Sequence, residues 1–135
     1  MVYRKIKSFN DLEIYRSSYK TCVIVFDKIL PLIPSIERND LSSQLRRSCK
    51  AIPRLIAEGY AKKHQKAGFQ KYLDDALAEI NETIVGLSQL KDFYNFDKNL
   101  CNNLIEEYDK IARQTFTLAK AWDNFNNKRI TKTKT

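Results

Sequence analysis

The chain is 135 residues long, enough for one domain with a real core, and its 43% apolar content is that of a globular protein. Its net charge of +8 favours a polyanionic partner. Three scattered cysteines (Cys22, Cys49, Cys101), a single histidine (His64) and short apolar runs argue against a disulfide framework, a zinc site, a signal peptide or a membrane span, and fit a cytoplasmic protein with reduced thiols.

Three glycines and three prolines supply few tight turns, so helices are expected. Ser8 or Asn10 can cap a first helix, whose apolar positions Leu12, Tyr15, Tyr19, Val23, Phe26 and Leu30 recur at steps of three and four. Pro31 and Pro34 end it, because each lacks an amide hydrogen and restricts the residue before it.

Asn39 or Asp40 caps a second helix with the stripe Leu41, Leu45, Cys49, Ile52, Ile56 and Gly59/Tyr60. Pro53 lies inside this pattern and deprives the Cys49 carbonyl of its helical donor, which predicts a kink rather than a stop. Gly59, without a Cβ, permits a neighbouring helix to approach closely or the chain to bend. Lys62–Lys66 is polar and reads as a connection.

A third helix runs from near Ala67 to about Tyr94, with Phe69, Leu73, Ala76, Ile80, Ile84, Leu87 and Leu90 on one side. The fourth follows a loop around Asn95–Asn99. Its apolar positions Cys101, Leu104, Tyr108, Ile111, Thr115, Leu118, Trp122 and Phe125 keep a 3.5-residue period, the pattern of supercoiled helices. The expected architecture is all-α, an antiparallel up-down-up-down four-helix bundle spanning residues 1–127, followed by a disordered basic tail over 128–135. Most aromatic residues fall on inward stripes and read as core; Tyr3, Phe96 or an outward tyrosine are the candidates for stacking on a ligand.

The positive charge is unevenly placed. Residues 1–8 carry +3, residues 128–135 carry +4, and residues 35–65 carry +4, whereas the blocks between them are neutral or slightly acidic. Arg47, Lys50 and Arg54 form a stripe on the second helix, Arg46 lies beside it, and Lys62 and Lys63 extend it past the helix end. Such a row suits successive phosphates, which ask only for charge and hydrogen-bond donors, and nothing here resembles a base-reading motif. The competing reading is a solvated face, or one paired with acidic side chains of another helix.

Glu79-x-x-Glu82 and Glu106-x-x-Asp109 resemble the paired acidic motifs of all-α nucleotide pyrophosphatases, which hold magnesium. Their helical phase turns Glu82, Glu106 and Asp109 away from the apolar stripes, toward solvent or another subunit. No nucleophile arrangement and no phosphate-cradling glycine loop stands out, so no enzyme activity, metal or cofactor is expected.

Leu41-Ser42-Ser43-Gln44-Leu45-Arg46-Arg47, Ile52-Pro53 and Ile56-Ala57-Glu58-Gly59 together resemble the signature of a bacterial family of four-helix-bundle proteins encoded in intervening sequences of 23S ribosomal RNA genes and elsewhere. Phe9-x-Asp11-Leu12, Phe69-x-x-Tyr72-Leu73 and Ala76-Leu77-x-Glu79-Ile80 are similar to that family as well, so the likeness spans roughly residues 9–95. Arg54-Leu55 departs from it, since relatives commonly carry small or polar residues there. The resemblance implies a basic bundle assembled as a homopentamer. The family includes the accessory variability determinant of diversity-generating retroelements, which implies RNA or DNA and a reverse transcriptase as partners. Carried onto this chain, the positions of interest are Arg46, Arg47, Lys50 and Arg54. The alternative role is a protein-interaction scaffold whose charged faces serve subunit and partner contacts.

Overall fold

The computed structural model describes residues 6–133, with side chains through Trp122. Four long helices and no strands make up the described residues: α1 (Glu13–Ile24), α2 (Leu41–Ala61), α3 (Gly68–Tyr94) and α4 (Lys98–Thr133). Helix α2 packs on α1 and α3, and α4 packs on α1 and α3, while no close approach joins α1 to α3 or α2 to α4. The four helices thus enclose one core, as an all-α bundle does. Tyr3, and the side chains of the basic tail expected over 128–135, lie outside the described residues.

The entry to α1 is a short 3-10 turn, Phe9–Asp11. Its Asp11 carboxylate accepts the amides of Lys7 (2.8 Å) and Ser8 (3.2 Å), a use of an acidic side chain where helical amides lack partners. The other end changes pitch before it stops. Val25–Ile29 is a π turn and Leu30–Leu32 a 3-10 turn, around Pro31, whose missing amide leaves the Asp27 carbonyl without an α-helical donor. Helix α2 runs through Pro53 without interruption. Two residues in the left-handed region, Ala67 (φ 56°) and Asn95 (φ 52°), bracket α3 and set the turns on either side.

Most positions expected on the stripes of α2, α3 and α4 are buried, but Tyr60 and Ile84 are half-buried and Thr83 takes the core position next to Ile84. Leu45, Cys49, Ile52, Ile56, Phe69, Leu73, Ile80, Leu87, Leu90, Tyr108 and Ile111 are all inaccessible to water. Leu118 and Trp122 are half-buried, and Phe125 lies outside the described side chains.

The stripe expected on α1 requires correction. Ile14, Ser18, Thr21, Val25 and Ile29 face the core, whereas Tyr19 and Val23 are exposed and Tyr15, Phe26 and Leu30 only half-buried. Two apolar stripes lie one residue apart on this helix, and the inward one contains Ser18 and Thr21. Their hydroxyls bond carbonyls of their own helix, Tyr15 at 3.1 Å and Ser17 at 2.9 Å, so they enter the core at little cost. Most of the described aromatic residues do belong to the core, Phe69 and Tyr108 buried and Tyr15, Phe26, Tyr60, Phe96 and Trp122 packed against it, while Tyr19, Phe93, Tyr94 and Phe116 are exposed.

Candidate functional site

Arg46, Arg47, Lys50 and Arg54 are all exposed on α2, on the side turned away from Leu45, Ile52 and Ile56. At 100° per residue, Lys50, Arg54 and Arg47 share an arc of about 60°, and Arg46 lies about 40° beyond Lys50 toward α1. The two ion pairs among the described residues are Lys91–Asp92 and Arg113–Asp109, neither on α2. The four cations are therefore not consumed by salt bridges within the described chain. The charge of Arg47 reaches Glu79 of α3. Desolvation by burial is the first cause raising the Glu79 carboxyl above the ordinary glutamate range, with Glu82 next, and the charge of Arg47 opposes both.

Lys62 and Lys63, expected to extend the patch, follow the last residue of α2, and Lys62 is about 12 Å along the helix axis from Arg54 at the α-helical rise. Lys62 Nζ donates to the Tyr72 hydroxyl at 2.8 Å, and that bond raises its pKa. Lys63 Nζ sits 4.0 Å from the centre of the Tyr60 ring, a cation–π contact. The six candidates thus divide into four on one exposed face and two engaged with aromatic rings at the end of α2.

Of the acidic candidates, Glu82, Glu106 and Asp109 are exposed and Glu79 is half-buried. Asp109 accepts from Arg113 on its own helix. Among the described residues no group of three or more His, Cys, Asp or Glu gathers closely enough to hold a metal.

What sequence reasoning missed lies beside the basic face. The outward stripe of α1 and the facing edge of α2 enclose an open groove of about 650 Å³, and Lys50 and Arg54 are on its rim. Cys22 is part of its lining, and Cys22 Sγ stands 3.7 Å from Sγ of the buried Cys49. The hydrogen bond between the two thiols is the first cause lowering the Cys22 thiol below its ordinary pKa, while Cys49 itself is pushed far up. The signal that marks the groove is the doubled apolar stripe on α1, visible in the sequence only once Ser18 and Thr21 are admitted to the core.

The fold and this basic face define the class: an all-α four-helix protein with a cationic surface on its second helix. The sequence model of one family, described as 23S rRNA-intervening sequence protein, matches residues 10–117, and the chain belongs to that family. The matched span takes in all of α1, α2 and α3 and every one of the six basic candidates. No curated protein matches the chain at a significant level.

Proposed function

We propose that this protein is a non-enzymatic, oligomeric bundle that binds RNA or DNA through backbone phosphates, using Arg46, Arg47, Lys50 and Arg54. One observation carries the reading: four cations lie exposed on one helix face with no salt bridge to an acid of the described chain. Holding like charges together costs free energy in isolation, and an external polyanion removes that cost through counterion release. The binding is independent of sequence, since contacts to backbone phosphates carry no sequence information and the chain resembles no base-reading motif.

The proposed architecture is antiparallel and up-down-up-down, with a bend at Pro53. In support, the contacts from α2 to α3 run Leu45 to Gly86, Ser48 to Thr83 and Gly59 to Tyr72, one residue number falling as the other rises. The family's resemblances also make a pentamer, and a reverse transcriptase as protein partner, part of this proposal.

Fluorescence anisotropy with short duplexes and single strands at several salt concentrations tests the reading. Binding at low salt that is lost in Arg47→Glu/Lys50→Glu is the expected result; affinity unchanged by the two reversals rejects it. A second reading, a protein-interaction scaffold, draws support from the apolar side chains Leu32, Ile36 and Phe93, which are 67%, 83% and 69% exposed. It requires the same charge reversals to disrupt assembly in light scattering and leave nucleic acid binding trivial.

A further inference from the structure

The groove between α1 and α2 joins an aromatic wall to a cationic rim. Phe9 and Tyr15 meet edge to face with ring centres 4.8 Å apart, and Tyr15 and Tyr19 follow at 5.9 Å, one helical turn on. The ladder starts half-buried at Phe9 and Tyr15 and opens outward: Tyr19 is 55% exposed, and its neighbour on the same stripe, Val23, is 54% exposed. Opposite it, the buried Pro53 and half-buried Ala57 of α2 form the apolar side of the groove. Lys50 and Arg54, one turn apart on α2, border the opening, with a single acid, Asp27, on the rim. Two exposed cations flanking exposed aromatic faces is the composition of sites that bind single-stranded nucleic acid, where charge follows the backbone and rings stack on bases.

From this juxtaposition we infer that the groove seats an unpaired base of a single-stranded nucleic acid against Tyr19 and Tyr15, while Lys50 and Arg54 hold the phosphates on either side of it. The inference rests on the phosphate-binding reading of α2 and narrows it to single strands. A duplex buries its base faces within its own stack and can offer this surface only phosphates, so the aromatic wall gains nothing from it. A single strand satisfies both halves of the groove at once. The groove's 650 Å³ falls within the range of small-ligand sites, of which one nucleotide is a typical occupant. Stacking on a tyrosine face is tolerant of base identity, so the site selects strandedness and not sequence.

The test compares a short oligothymidine, the same strand with abasic residues, and a matched duplex, in anisotropy titrations at one low salt concentration. The single strand should bind at least about fivefold more tightly than either competitor, the lower end of what one stacked base contributes. Tyr19→Ala should erase that advantage and leave duplex affinity unchanged; Tyr19→Phe should keep it, because the ring remains. Tyr19 is exposed, so the fold tolerates both changes, and circular dichroism checks that it has. Photocrosslinking of 5-iodouridine strands, read by mass spectrometry, should place the adduct on Tyr15 or Tyr19. Equal affinity for the intact and abasic strands overturns the inference while leaving phosphate binding standing. Failure of every oligonucleotide to bind overturns both. A fall in oligomer size with Tyr19→Ala, with strand preference intact, assigns the groove to another copy of the chain and overturns it as well.

Discussion

Leu45 of α2 lies so close to Gly86 of α3 that a β-carbon on the glycine would stand 2.7 Å from Leu45 Cδ2 and 2.9 Å from its Cγ. Leu45 is 1% exposed and cannot swing away into solvent. Gly86→Ala is therefore an overpacking change, costing about 1–3 kcal/mol, offset by about 1 kcal/mol of better helix propensity. Chemical denaturation should show a net loss. In a Leu45→Ala background the collision disappears and only the propensity gain survives, so the same substitution should stabilise. A loss of equal size in both backgrounds would refute the contact.

Gly59, the last residue of the Ile56-Ala57-Glu58-Gly59 element, meets a harder neighbour. A β-carbon there would lie 2.6 Å from Tyr72 Cβ and 3.1 Å from Phe69 Cδ1. Tyr72 Cβ is fixed to its backbone, so relief requires α2 and α3 to separate. Gly59→Ala should cost more than Gly86→Ala in the same denaturation experiment. Truncating Tyr72 to alanine should not rescue it, because the offending atom remains.

These two glycines show what the sequence makes legible and what it does not. Gly59 stood out because it interrupts an apolar stripe near a helix end, where missing bulk has an obvious use. Gly86 sits one residue before Leu87, in a helix whose stripe is complete without it, and nothing local marks it. The same limit applied on α1. Periodicity ranks stripes by apolarity, so it preferred Tyr15–Tyr19–Val23 to the stripe containing Ser18 and Thr21, whose hydroxyls are satisfied by their own helix. Charge clustering singles out Arg46, Arg47, Lys50 and Arg54, and all four are exposed on α2. A run of charge carries no information about the Tyr72 and Tyr60 rings that Lys62 and Lys63 touch.

Tyr108 is fully buried near Thr21, Cys22 and Cys49, and burial pushes its phenol well above the ordinary tyrosine range, with Thr21 opposing in part. Above about pH 10 the unfolded chain releases this proton and the folded chain retains it. Fewer protons are then bound in the unfolded state, so stability falls as pH rises, by about 1.4 kcal/mol per pH unit from this group. Below about pH 10 its contribution is constant. The raised Cys49 and Cys101 thiols act in the same direction from a lower pH, near where a free thiol ionises. Urea midpoints measured between pH 7 and 11 should decline with a steeper limb above 10. Tyr94, whose phenol is raised by its hydrogen bond to Glu37, acts in the same direction. Tyr108→Phe should therefore flatten that limb without abolishing it, and a limb of unchanged steepness in the variant would assign it elsewhere.

Salt dependence separates the two groups of cations. Each phosphate neutralised contributes about 0.9 to the slope of log affinity against log salt on a duplex, and about 0.7 on a single strand. Lys50 and Arg54 stand on the groove rim and make no salt bridge among the described residues, so Lys50→Ala and Arg54→Ala should each flatten the slope by about that amount. Lys62 and Lys63 are positioned differently. The first donates to Tyr72 and the second rests on Tyr60, so reaching a phosphate would require each to give up a contact it already holds. Lys62→Ala and Lys63→Ala should lower affinity weakly through long-range charge and leave the slope within error of the parent. If these two flatten the slope as much as Lys50→Ala does, the interface extends around the end of α2. If none of the four changes it, phosphate contact at these four positions is ruled out, and any contact on this helix falls to Arg46 and Arg47.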